Sequence, residues 1–211
     1  MTSRDEILSR IGAALGRTAG DPVPDAPPVL LRYAASSRQE RIALFSEALV
    51  ALAGRVSVAA TPAEARAYVE SVLGGRRAIA SSAPVLKASG ILSLPGVSSE
   101  FSRERCAEAE VGISSADFAL ADTGSLVLMS ASGESRMISL LPPCHISVIE
   151  ANKILATLDE LLELEPQPAI ESSAMVLITG PSRTADIEMR LVRGVHGPGE
   201  IHVVIVADVT A

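Results

Sequence analysis

Tryptophan is absent and aromatic residues make up only 2% of the 211-residue chain. Leu, Ile, Val and Ala must therefore fill the core, and stacking platforms for nucleic-acid bases are excluded as a general design. Cysteine is nearly absent as well. Cys106 and Cys144 stand far apart with no Cys-x-x-Cys pair, so no zinc site or iron–sulfur cluster is expected from this chain's thiolates, and a reducing compartment is implied. Positive charge is in deficit, with 18 Lys and Arg against 25 Asp and Glu and a net charge of -7. Long-range electrostatics would repel a phosphate backbone, which excludes nucleic acid as the main partner. A local arginine can still hold a small anion, because such a site works through its own geometry. No apolar run reaches the roughly eighteen residues of a membrane span, and the charged start Met1-Thr2-Ser3-Arg4-Asp5-Glu6 lacks the apolar core of a secretory signal, so the cytoplasm is the expected location. Gly-x-Gly-x-x-Gly, Walker and Gly-x-Ser-x-Gly motifs are missing too, and no cofactor is expected.

What remains is 48% hydrophobic, which suits an α/β domain able to bury roughly 70% of its unfolded surface. Ile7, Leu8, Ile11 and Leu15 form an apolar stripe at helical spacing over residues 3–16, with Ser3 and Glu6 as a capping box. Pro22, Pro24, Pro27 and Pro28 then prevent helix or central strand. Residues 1–28 are thus expected to be a helical arm on a linker, and residues 29–211 the α/β body. A helix is expected over 37–54, carried by Ile42, Phe45, Leu49 and Leu52, then a strand over 56–60. Thr61-Pro62-Ala63-Glu64 supplies an N-cap, a proline at the first helical position and a capping glutamate, so a helix should run to Gly74, followed by a strand over 77–81.

Further along, residues 118–121 and 125–129 read as a strand pair around the turn Asp122-Thr123-Gly124. A strand over 146–149, a helix over 152–164, a buried strand over 175–178, a helix over 184–193 and a closing strand over 201–206 complete the pattern. This order predicts a three-layer α/β fold: a largely parallel sheet with helices on both faces and a short antiparallel insertion.

Three polar segments border these strands. In Thr179-Gly180-Pro181-Ser182-Arg183-Thr184, Gly180 allows close backbone approach, Ser182 and its neighbours offer N–H groups, and Arg183 adds a permanent charge. Such a turn suits a carboxylate or phosphate, although it also reads simply as a capped helix start. In Gly194-Val195-His196-Gly197-Pro198 the glycines serve as cap and turn, leaving His196 as a hydrogen-bonding or acid–base candidate, or an ordinary surface histidine. The third segment joins Thr123 and Gly124 to Arg136 and to His145, which the prolines Pro142-Pro143 hold rigidly. Cys144 beside His145 does not make a nucleophile–base pair, since neighbours on extended chain point to opposite faces. No residue is assigned a catalytic role. The expected ligand-binding set is Thr123, Gly124, Arg136, His145, Gly180, Ser182, Arg183 and His196, meeting in one cleft at the carboxyl ends of the sheet.

Ala121-Asp122-Thr123-Gly124-Ser125, Ser139-Leu140-Leu141-Pro142-Pro143-Cys144-His145-Ile146 and Thr179 to Glu188 with Gly194 to Pro198 resemble the LUD-domain family over nearly the whole chain, residues 29–110 being the weakest stretch. The resemblance implies a fold like the ribose-phosphate isomerase and CoA-transferase group. It also implies a role beside iron–sulfur proteins in oxidising L-lactate to pyruvate. Asp122 stands where the family more often has Glu, and Ser125 where Thr is common. Two functional classes remain: a subunit of a lactate-oxidising system with no redox cofactor of its own, and an enzyme or sensor for a small anionic metabolite.

Overall fold

The computed structural model describes residues 2–16, 22, 36–130, 135–166, 168, 172–184 and 192–207. The chain divides into two units, 1–32 and 33–211. In the first, α1 (Ser3–Leu15) starts one residue earlier than the sequence pattern suggests. Its N-cap is Thr2, whose hydroxyl accepts from the Asp5 amide while the Asp5 carboxylate accepts from the Thr2 amide. Asp5 thus takes the place expected of Glu6, the helix closes on Gly16 in the left-handed region, and none of its residues is buried. The proline-bearing stretch, apart from Pro22, lies outside the described residues.

The second unit continues in chain order with α2 (Arg38–Ala51), β1 (Arg55–Ala59), α3 (Pro62–Leu73), β2 (Ala78–Ala80), α4 (Pro84–Ala88), β3 (Val97–Ser98), α5 (Arg103–Glu108), β4 (Val111–Ser115), β5 (Phe118–Leu120) and β6 (Ser125–Met129). Then come α6 (Arg136–Leu140), β7 (Cys144–Glu150), β8 (Ile154–Leu155), α7 (Leu158–Leu164), β9 (Met175–Ile178), β10 (Arg183–Thr184), β11 (Val192–Arg193) and β12 (Glu200–Val206). The local signals act as expected at α2 and α3. Ser37 with Glu40 forms a complete capping box, and Thr61 caps a helix that has Pro62 in its first turn and ends on left-handed Gly74.

The main sheet has six strands in the order β1-β12-β7-β4-β2-β3, every neighbouring pair parallel. It is covered on both faces, as a parallel sheet requires. On one face, Ala78, Ala80, Val111, Ile113, Ile146, Val148, Val204 and Val206 pack against α3 and α4 through Ala65, Val69, Leu73 and Leu86. On the other, Ile149, Ile201, Val203 and Ile205 meet Phe45 and Leu49 of α2, and Ile79 meets Cys106 and Ile138 of α5 and α6. The alternation of residues along β12 and β2 between these two faces is the period-two signature of strands buried on both sides.

Four expectations need correction. The last strand, β12, does not close the sheet but lies inside it, between β1 and β7. The hairpin β5–β6 is part of a separate four-stranded sheet, β8-β5-β6-β9, in which β9 pairs antiparallel with β6. Met175–Ile178 is therefore no buried parallel strand, and Leu177 is 41% exposed. The helix expected over 152–164 shrinks to α7, because Ala151–Lys153 is a 3-10 turn and Ile154–Leu155 pairs with β5. Finally, the ends of the helix expected over 184–193 are strand, Arg183–Thr184 pairing with Val192–Arg193 in an antiparallel ribbon, and residues 185–191 lie outside the described residues.

Candidate functional site

Six of the eight expected site residues gather around the C-terminal end of α2. Gly124 is the anchor. Its φ of +65° belongs to the left-handed region, and a Cβ there would stand 2.5 Å from the Leu49 amide nitrogen, so only glycine allows the β5–β6 turn to touch the helix. Gly180, at φ +84°, approaches the same helix end, where a Cβ would lie 3.0 Å from Leu52 Cβ. Between them the Ser125 hydroxyl lies 2.8 Å from Thr123 Oγ1 and 2.7 Å from Thr179 Oγ1. The Arg183 guanidinium donates to the Leu52 carbonyl, occupying one of the carbonyl groups that a helix end leaves free. The Ser182 amide donates to the Pro198 carbonyl at 2.8 Å, and the His196 amide reaches Ser182 Oγ at 3.4 Å. Thr123, Gly124, Gly180, Ser182, Arg183 and His196 thus form one neighbourhood.

Its place in the fold differs from expectation. Leu52 lies shortly before β1 and Pro198 shortly before β12, so the group sits at the amino ends of the parallel strands. The expectation of carboxyl ends assumed that β9 belongs to the main sheet. The backbone donors also differ, since the Ser182 amide is spent on Pro198 rather than displayed at a helix start.

Arg136 and His145 stand apart, and no hydrogen bond links either to the six among the described residues. His145 lies in β7, fully buried, with Nε2 2.9 Å from Ser114 Oγ. Burial alone lowers its pKa to about 4, so the imidazole is neutral at physiological pH. Arg136 opens α6 and lines a small chamber with Ser114, Ser115, Asp117 and Ser135 beside the carboxyl end of β4. Asp117 and Met129 are shared with a wider cleft of about 270 Å³ that also holds Phe118, Lys153 and Glu165. Asp117 is fixed there by accepting the Met129 amide at 2.6 Å, and Lys153 Nζ lies 5.5 Å from the Phe118 ring centre. Sequence reasoning missed Asp117 and Lys153. The available signal was position, since Asp117 comes shortly after β4 and Lys153 ends the turn that follows β7.

A second missed cluster occupies the amino end of the sheet. Tyr68 Oη lies 2.9 Å from His202 Nδ1, His202 Nε2 lies 3.0 Å from Glu200 Oε1, and Arg55 contacts both Glu200 and His202 Nε2. Ligand atoms of Cys144, Glu200 and His202 lie within 4.8 Å of one another. Their surroundings argue against a metal, because Arg55 and Arg76 already direct positive charge at Glu200. Burial, reinforced by the Glu200 charge, moreover pushes the Cys144 thiol up to about 11, away from the thiolate that a metal would need. The spacing Glu200-x-His202 on a strand, which places both on one face, was the readable signal.

The LUD domain family model matches residues 42–206. Among relatives, lactate utilization protein C of Exiguobacterium sp. AT1b is 39% identical over 113 residues, covering 52% of this chain and 49% of that protein. Lactate utilization protein C of Halalkalibacterium halodurans is 38% identical over 109 residues, 50% of this chain and 47% of that protein. The matched part thus spans about half the length of these relatives. The crystal structure of a DUF162 family protein from Deinococcus radiodurans superposes with a TM-score of 0.65 at 21% identity, covering 82% of this chain and all of that one, a likeness of fold. With the family model covering most of the three-layer body, the chain belongs to the LUD domain family.

Proposed function

We propose that the chain is a component of an L-lactate utilization system that converts L-lactate to pyruvate together with iron–sulfur partner proteins. The observation that carries this reading is the identity of 38–39% with proteins named lactate utilization protein C, over about half of the chain. Lactate oxidation must hand two electrons to a flavin, nicotinamide, haem or iron–sulfur acceptor. The two cysteines of this chain are both buried and lie in different core clusters, so the acceptor is assigned to partners. The role left to this chain is to assemble with those partners and to position a small anion.

The test is genetic and then biochemical. Deletion of the gene should abolish growth on L-lactate and leave growth on pyruvate intact. The purified chain with L-lactate and an artificial electron acceptor should be inactive alone and should raise turnover when added to the partner proteins. Normal growth of the deletion strain on lactate, or full turnover by the chain by itself, would defeat the proposal.

A second reading, an enzyme or sensor for a small anionic metabolite, is favoured by the Arg136 chamber at the carboxyl end of the sheet, where open α/β folds take their ligands. Tight binding of a sugar phosphate or CoA ester by the isolated chain would favour that reading.

A further inference from the structure

Central strands of a parallel sheet covered on both faces are normally aliphatic. Three adjacent strands here break that rule at one level. Ser114 of β4 is paired in register with Ser147 of β7, and Ser81 comes one residue after the Ala80–Ile113 pair of β2 and β4. These serines are 0–2% exposed and His145, next along the same face, is fully buried. The hydroxyls of Ser81 and Ser147 and the Nδ1 of His145 have no hydrogen-bond partner among the described residues. Leaving buried polar groups unpaired costs stability at each position, so the row is a polar patch kept within an otherwise aliphatic sheet.

Ser114 connects this row to the chamber lined by Arg136. The space inside is about 10 Å³, room for a single oxygen-sized group. Arg136 is exposed and its guanidinium has no hydrogen bond or ion pair among the described residues. Past Asp117 and Met129 the wider cleft adds apolar surface from Phe118. With the imidazole proton on Nε2, His145 donates to Ser114 Oγ, and the Ser114 hydroxyl is left free to donate into the chamber. The Ser135 oxygen already accepts the Met137 amide, so its proton is likewise free.

We infer that the chamber and the adjoining cleft bind a small 2-hydroxy monocarboxylate, with one carboxylate oxygen seated in the chamber against Ser114 and Ser135, the carboxylate held by Arg136, the rest of the molecule in the cleft and its hydroxyl donating to Asp117. The short carbon end lies against Phe118 and Met129. The choice of a 2-hydroxy acid rests on the proposed function, whereas the placement rests on the geometry alone. Asp117 supplies the selectivity. A carboxylate accepts a hydrogen bond from a hydroxyl but repels the carbonyl oxygen of a 2-oxo acid, and an acid with neither group leaves it unpaired.

Isothermal titration of the full chain with L-lactate, pyruvate and propionate tests this. L-lactate should bind at least about tenfold more tightly than either other acid. Arg136→Ala and Arg136→Gln, both at an exposed position and checked for folding by circular dichroism, should each weaken L-lactate by about tenfold or more. Arg103→Ala, at an exposed position on α5, should leave the affinity unchanged. Three results overturn the inference: no heat with any acid up to about 10 mM, as for a row filled by ordered water only; equal binding of lactate and propionate; or affinity unchanged in both Arg136 variants. A silent titration combined with loss of growth on lactate in the deletion strain would sink this site and leave the proposed function standing. Selective binding in a strain that needs no such gene would do the reverse.

Discussion

Replacing Gly112 with alanine tests how closely α6 rests on the sheet. A Cβ at this position would fall 1.8 Å from the Ile138 carbonyl oxygen, 3.0 Å from its carbonyl carbon and 3.1 Å from Pro142 Cγ. An ordinary carbon–oxygen contact is about 3.3 Å, so α6 would have to retreat by roughly 1.5 Å. It cannot do so freely, because Ile138 is fully buried against Ile79, Cys106 and Ala109. Overpacking in a filled core costs about 1–3 kcal/mol, and a clash with backbone rather than a flexible side-chain tip places Gly112→Ala at about 3 kcal/mol. For a domain of this size that is a fall in Tm of about 6–12 °C. Urea unfolding followed by far-ultraviolet circular dichroism measures it. Gly75→Ala is the comparison: at φ +85° with nothing within 4 Å of the new Cβ, it should cost only backbone strain, about 1–2 kcal/mol. A Gly112→Ala protein within about 0.5 kcal/mol of the parent, or one no less stable than Gly75→Ala, would refute the close packing.

Three other outcomes follow from the same structure. His145, with its pKa lowered to about 4 from 6.5 by burial, takes up its proton more readily in the unfolded chain. Its contribution to stability is therefore complete above pH 6.5 and is lost as the pH falls toward 4, at about 1 kcal/mol per pH unit. His202 is shifted in the same direction, chiefly by burial, so His145→Gln should reduce that slope without abolishing it, and an unchanged slope would contradict the assignment. Arg41 donates to Glu160 at 2.9 Å and to the Ile154 carbonyl at 3.3 Å, tying α2 to β8 and α7. Arg41→Ala should cost about 1–3 kcal/mol in urea unfolding, and a double-mutant cycle with Glu160→Gln that shows no coupling would dismiss the pair. Arg183→Ala removes the side-chain donor to Leu52 and should cost about 0.5–1.5 kcal/mol, with a larger loss on deleting a buried contact such as Phe45→Ala, about 3–5 kcal/mol. Equal losses would show that the helix end carries far more of the stability than its exposure suggests.

Elements whose cause is local were legible from residue order. The capped α3, with Thr61, Pro62 and Gly74, and the β5–β6 hairpin around Asp122 to Gly124 fall where their turn and cap chemistry places them. The composition likewise implied a core filled mainly by Leu, Ile, Val and Ala. Errors arose where a short apolar segment had more than one possible partner. Met175–Ile178 reads as a central parallel strand, yet its hydrogen bonds go to β6 in the second sheet. Ile154–Leu155 looks like the interior of a helix and instead pairs with β5.

For the site, the residue types were readable and their grouping was not. Thr123, Gly124, Gly180, Ser182, Arg183 and His196 do share one neighbourhood, because two glycines without Cβ atoms let separate turns close on the end of α2. Arg136 and His145 face other surroundings, and nothing local separates them from the rest. The row of Ser81, Ser114 and Ser147 was invisible for the same reason. Each is an ordinary small polar residue in its own segment, and only the register of three parallel strands, joined by crossovers many residues long, aligns them on one buried face. Local sequence determined the helices, caps, turns and inventory of chemical groups. Strand order and register, which depend on hydrogen bonds between residues remote in the chain, decided which of those groups meet and whether water can reach them.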